Sequence, residues 1–331
     1  MALDGKILAR SLDSYRAGLQ RRTRETERLR QTIYSKQPRV EQIDRLLSET
    51  VAAAVAAAVS GGGDPREEIE KLRDENLALQ AERAELIAEL GYPYDCIDDK
   101  PFCEECSDHG FIGKKPCSCL MEIYREEQRK ELSSLLDLSG ENFGSFRLDY
   151  YDDTPAEGGG VSPRRHMKMV YTACLRYAES FSPDGENLFF SGGTGLGKTF
   201  LSSCIAGAVS EKGYSVVYET AIELISSFER ARFDKGEDAE EGEENVRRYL
   251  GCDLLIIDDL GTELSTSFAA GALYDVINSR LRSRKNTVIS SNLGIDEIRR
   301  RYSPQIASRL EGEYENLRFY GRDIRLIKRG L

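Results

Sequence analysis

The run Gly192-Gly193-Thr194-Gly195-Leu196-Gly197-Lys198-Thr199 constrains this chain more than any other stretch. It fits the pattern G-x-x-x-x-G-K-[ST], and its surroundings fit as well. Asn187 to Phe190 predicts a short buried strand before the loop. Leu201, Cys204, Ile205, Ala208 and Val209 then recur at helical spacing after it. A strand, a glycine-rich turn and a helix in that order aim backbone N–H groups and a helix N-terminus at a phosphate. Lys198 is expected on the β- and γ-phosphates, and the Thr199 hydroxyl on Mg²⁺. The fold class that supplies this unit is α/β with a parallel sheet.

Two further strands complete the expected site. Leu254 to Ile257 reads as a central parallel strand that ends in Asp258-Asp259. Acids at the C-terminal end of such a strand lie beside the phosphate loop, where ligands of open α/β sheets sit. Asp258 is expected to hold the Mg²⁺ through water, and Asp259 to orient or deprotonate an attacking water. Thr287 to Ser291 predicts another strand, with Asn292 at its tip able to hold that water. By itself, an Asn at a strand end is also an ordinary turn residue.

The 331 residues suggest more than one folded unit, and a net charge of −11 excludes an all-round basic coat for nucleic acid. Val51 to Val59 is apolar but too short to cross a membrane, and the N-terminus has no apolar signal core. A cytoplasmic protein with no membrane contact is expected. Its eight cysteines then point to metal binding or burial rather than disulfides.

Three regions follow: a helical region over 1–91, a cysteine-rich module over 92–135 and the α/β core over 140–331. In the first, Pro38 and Gly61-Gly62-Gly63 are breaks. Asp64, Pro65 and Glu67 form a helix-start signal. Ile69, Leu72, Asn76, Leu79, Arg83, Leu86 and Leu90 then alternate in steps of three and four. That is a heptad seam with a polar residue inside it, read either as a coiled coil or as a helix lying on its own domain. Thr154 to Pro163 and the acidic stretch Asp234 to Glu244 read as flexible, solvated connections.

In the second region, Cys103-x2-Cys106 and Cys117-x-Cys119 offer four thiolates on two tight turns, a ligand set for structural Zn²⁺. Gly110 and Gly113 suit a compact knuckle, and His109 or Cys96 is an alternative for one ligand. Cys174, Cys204 and Cys252 read as buried thiols. Basic clusters at Arg280, Arg282, Arg284, Lys285 and at Arg299, Arg300, Arg301 read as solvated helix faces or as contacts to single-stranded DNA phosphates. Phe228 and Phe233 are expected in the core.

In chain order, GGTGLGKT, LLIIDDLGTE, SSN, IASRL and GRDIR together resemble the AAA+ core of DnaC/DnaI-type replicative helicase loaders and the related IstB transposition helpers. The resemblance covers residues 140–331. It implies an ATPase that binds ATP and Mg²⁺, with Asn292 as sensor 1, Arg309 as an arginine finger and Arg325 as sensor 2. An arginine forks onto phosphate oxygens, and a finger supplied by a neighbour ties slow hydrolysis to an ATP-dependent homo-oligomer. The segment CEECSDHGFIGKKPCSCL is similar to the zinc-binding segment ahead of the core in DnaI-like loaders. The implied partners are a replicative helicase and single-stranded DNA, or a transposase if the chain is a transposition helper. Many AAA+ proteins carry Asp-Glu where this chain has Asp258-Asp259. Asp-Asp occurs in the loader branch, so Asp259 keeps the role, with Glu263 as the nearest substitute. A small helical subdomain is expected toward the C-terminus.

Overall fold

The computed structural model describes residues 3–59, 65–136, 140–155 and 160–329. The breaks expected at Gly61-Gly62-Gly63 and the cap at Asp64 lie outside them. By contacts the chain divides into two compact units, Asp13–Cys119 and Met1–Leu12 with Leu120–Leu331.

The unit Asp13–Cys119 is built on the part of helix α1 (Gly5–Lys36) from Asp13 onward and on helices α2 (Pro38–Val59) and α3 (Pro65–Glu89). Pro38 and Pro65 each occupy a first helical position, where the missing N–H costs nothing. Ile33, Val40, Ile87 and Ile97 close a small core. The described seam residues of α3 are half-buried, and they find partners inside the chain. Thr50 donates to Asn76 at 2.5 Å, and Arg83 reaches Asp44 and Asp98 at 2.5 and 2.9 Å. The polar seam residue therefore keys α3 to α2 of the same chain. After the helices, strands β1 (Phe111–Ile112) and β2 (Lys115–Pro116) make a two-stranded hairpin in the cysteine module.

The other unit contains α4 (Ser118–Leu135), α5 (Pro163–Glu179), β3 (Asn187–Ser191), α6 (Lys198–Glu211), β4 (Val216–Thr220), α7 (Ala221–Phe233), α8 (Glu237–Gly251), β5 (Leu254–Leu260), α9 (Ser267–Arg282), β6 (Asn286–Ser291), α10 (Ile295–Arg301), α11 (Pro304–Glu313), β7 (Tyr314–Arg318) and α12 (Ile324–Lys328). The strands form one parallel sheet in the order β4-β5-β6-β3-β7. Alternation along each strand divides the core in two. Leu188, Phe190, Leu254 and Ile256 pack with α5 and α6 on one face. Phe189, Leu255, Ile257 and Ile289 pack with α7, α9, α10 and α11 on the other. Leu254 to Ile257 are fully buried, and each such side chain stabilises by about 1.5–3 kcal/mol.

Three expectations change. The acidic stretch Asp234 to Glu244 is largely helical, as the start of α8. Glu237, Asp238 and Glu240 fall in its first turn, where negative charge complements the helix dipole. Gly242 lets α8 lie on α7, since a Cβ there would come 2.5 Å from the Ala231 nitrogen. The C-terminal region is not a separate helical subdomain, because it returns β7 to the sheet beside β3. Phe233 is 65% exposed and lies against Phe268, outside the core.

Candidate functional site

The loop after β3 turns through conformations that its glycines permit. Gly195 has φ +70°, and a Cβ there would fall 2.0 Å from Asp323 Oδ1. At Gly192 a Cβ would meet the Phe319 carbonyl at 2.5 Å. The loop is anchored from behind. Tyr151 donates to the Leu196 carbonyl at 2.8 Å, and the Ile324 N–H donates to Gly195 at 2.9 Å. Gly197, at the N-cap of α6, supplies no side-chain cap, so the first-turn N–H groups have none.

Lys198 is 6% exposed and donates to the carbonyls of Gly192 and Gly193 at 2.8 and 2.7 Å. Burial pulls its ammonium below the ordinary lysine range, against the raising influence of Asp259 and Asp258. A buried cation resting on neutral carbonyls beside a cavity has the chemistry of an anion site.

The acids arrive from β5. This strand is separated from β3 by β6, so the site spans three strands rather than two neighbours. The β5–β6 register shifts between Ile257 and Leu260, and Asp259 takes φ +55°. This irregularity sends the two acids different ways. Asp258 is buried and accepts from Thr199 at 3.1 Å, Tyr218 at 2.6 Å and Ser290. Asp259 is exposed on the strand and lines the cavity. Burial, then the neighbouring Asp258, raises the Asp259 carboxyl, while Lys198 and Arg325 lower it.

The cavity has a volume of about 480 Å³, within the range of sites for small organic ligands. Its wall includes Thr194 to Thr199, Asp259, Asn292 and Arg325. Gly192 and Gly193 form the base of the loop under Lys198. Arg309 does not line it. That side chain sits 44% exposed on α11, 3.9 Å from Glu313. Glu263 is turned elsewhere, accepting from the Gly261 N–H at 3.0 Å and from Tyr302. It is not placed to substitute for Asp259.

Several lining groups were not singled out from sequence. Glu141, Phe146, Arg147 and Tyr150 close the cavity from the segment before α5, with Lys328 Nζ 5.5 Å from the centre of the Tyr150 ring. The aromatic density of Phe143, Phe146, Tyr150 and Tyr151 is the signal that could have shown them. Tyr218 and Ser290, which grip Asp258, gave no signal in sequence beyond a strand position.

Arg280 leaves the candidate DNA contacts. It is fully buried and donates to Thr287 and to the carbonyls of Tyr249, Cys252 and Asn286. Arg299 pairs with Asp296 and Glu311 at 2.6 and 2.7 Å, and Lys285 with Asp253 at 3.1 Å. Arg282, Arg284 and Arg300 stay exposed, whereas Arg301 donates to the Glu263 carbonyl.

In the cysteine module, the Sγ atoms of Cys103, Cys106, Cys117 and Cys119 all lie within 4.8 Å of one another. Cys103 to Cys117 is 3.7 Å and Cys106 to Cys119 is 3.6 Å. A tetrahedral Zn–S length of about 2.3 Å requires sulfurs about 3.8 Å apart, so the set fits. The Gly110 N–H points at Cys106 Sγ at 3.3 Å, and Gly110 and Gly113 both have positive φ. His109 turns its Nδ1 to the Cys106 carbonyl, and Cys96 packs with the helical core, so neither joins the cluster. Cys174, Cys204 and Cys252 are buried.

Residues 168–306 match the family of IstB-like ATP binding proteins. The chain is 26% identical over 171 residues to the replicative helicase loader DnaC of Buchnera aphidicola subsp. Baizongia pistaciae, covering 52% of this chain and 66% of that protein. It is 29% identical over 150 residues to the chromosomal replication initiator protein DnaA of Caldanaerobacter subterraneus subsp. tengcongensis, covering 45% and 32%. The matches thus span less than two thirds of those relatives. A crystal structure of the DnaC helicase loader superposes with a TM-score of 0.46 at 18% identity, covering 56% of this chain and 99% of that one. The chain resembles DnaC-type AAA+ loaders, and its fold is α/β with a parallel sheet around the phosphate loop. No helix among the described residues is long and apolar enough to cross a membrane.

Proposed function

We propose that this chain is an ATP-dependent DNA replication protein, a helicase loader that uses ATP and Mg²⁺ to place a replicative helicase on single-stranded DNA. The observation that carries the reading is the convergence of Lys198, Thr199, Asp259, Asn292 and Arg325 on one cavity, with Asp258 on Thr199. The likeness to DnaC loaders and to DnaA supports a place in replication.

The residues take the following roles. Gly192 to Thr199 surround the phosphates, and Lys198 exchanges its loop carbonyls for phosphate oxygens. Thr199 and Asp258 hold Mg²⁺, which when bound neutralises charge on the phosphates. Asp259, which lines the cavity, accepts the proton of an attacking water, and Asn292 orients that water. Arg325 serves the site of its own chain. Arg309, exposed on α11, serves a neighbouring copy, so hydrolysis stays slow until copies assemble. Arg282, Arg284 and Arg300, all exposed, contact the single strand.

The four cysteines hold a structural Zn²⁺. Elemental analysis should return about one zinc per chain, and Cys106→Ser should lose it. Metal-free protein with an unchanged fold sinks this assignment. Regions 1–91 and 92–135 grip the protein partner in the cytoplasm, and 140–331 is the AAA+ motor.

The test mixes full-length protein, the replicative helicase of its host and circular single-stranded DNA. ATP should be required for helicase to be retained on the circle. Turnover per chain should rise with protein concentration, and Arg309→Ala should abolish the rise while nucleotide still binds. The IstB-like match favours a second reading, a transposition helper that coats DNA and partners a transposase. Co-purification of a transposase, with no helicase retention, selects it.

A further inference from the structure

The Asp258 carboxylate is held by more than the phosphate loop. Asp258 sits on β5, between β4 and β6. From β4, the Tyr218 hydroxyl donates to Asp258 Oδ2 at 2.6 Å, the oxygen that Thr199 also approaches at 3.1 Å. From β6, the Ser290 hydroxyl donates to Oδ1. The same Ser290 oxygen accepts the Asp259 N–H at 3.1 Å, at the irregular step that separates the two acids. Tyr218 pairs in register with Ile256, and Thr220 with Asp258. Its hydroxyl therefore reaches two residues along the strand, about 7 Å, a span that needs a phenol rather than a shorter alcohol. The Tyr218 ring already fills the core beside Ile256, as a phenylalanine ring could. The hydroxyl is the part that packing does not explain.

We propose that Tyr218 and Ser290 are positioning residues for a divalent cation: one hydroxyl on each oxygen fixes the Asp258 carboxylate in the orientation that presents it to Thr199. This rests on the nucleotide reading above. Outer-shell donors of this kind change metal affinity without touching the metal. The clamp also joins both neighbouring strands to the metal side of the site.

The test is a fluorescent ATP-analogue titration of the full chain, in EDTA and across a Mg²⁺ series. In wild type, Mg²⁺ should tighten binding. Tyr218→Phe should keep the EDTA affinity within about twofold, yet need about 10–100-fold more Mg²⁺ for half of the enhancement. Ser290→Ala carries the same expectation and stands in should Tyr218→Phe fail to fold. An unchanged Mg²⁺ midpoint in either folded variant overturns the proposal, as does an equal loss of affinity in EDTA. The parent reading fails separately, if Lys198→Ala binds the analogue as wild type does, or if wild type shows no Mg²⁺ effect.

Discussion

The two ends of the parallel sheet each bury a cation, and the two cations do opposite things. At the C-terminal edge, Lys198 is 6% exposed and rests on two loop carbonyls beside a cavity. At the N-terminal edge, Arg280 is fully enclosed, its donors spent on Thr287 and three backbone carbonyls. Arg280 joins α9 to the end of α8 and the start of β6, and it does not line the phosphate-loop cavity. A buried charge is costly in either place. One site meets the cost by neutral acceptors throughout, and so becomes structural. The other faces a cavity with room for an anion.

That contrast can be broken by substitution. Arg280→Met should have the largest effect, about 3–5 kcal/mol of lost stability in urea unfolding, since several buried carbonyls lose their donor together. Lys198→Ala should reverse the pattern. Nucleotide affinity should fall about 100-fold, roughly 2.7 kcal/mol, read by calorimetry, while stability shifts by less than about 1 kcal/mol. Equal stability losses for the two would erase the distinction. At the Arg280 end, Lys285→Met should cost about 2 kcal/mol, because Asp253 is nearly buried where Lys285 meets it at 3.1 Å. Arg282→Ala, two residues from Arg280 and exposed, should stay within about 0.5 kcal/mol. A larger loss would mean that Arg282 has a partner within the fold.

The zone around the phosphate loop was legible because its chemistry is local. Eight consecutive residues carry glycines, lysine and threonine, and the flanking runs dictate strand and helix. Asp258 and Asp259 were legible for a related reason, as acids at the end of an apolar run, and Asn292 as a polar residue at a strand tip. The cysteine set was legible from spacing, because two short turns leave four sulfurs little choice. Arg280 was misread because its sequence neighbours, Arg282 and Arg284, are exposed, and burial of one arginine on a helix depends on what faces it. The acidic stretch was misread because charge density argues for solvent without arguing against a helix. Phe233 was placed in the core on hydrophobicity alone, whereas it projects at the end of α7.

What the sequence by itself determined is the phosphate loop, the apolar strands and the polar groups at their tips, all written in short contiguous patterns. Tertiary structure alone decided that β6 separates the loop strand from the acid strand, that β7 returns to the sheet, and that Tyr218 and Ser290 close on Asp258. Those facts join residues 31 or more positions apart. Such contacts are fixed by which strands pair and which faces pack, and no local periodicity encodes that pairing.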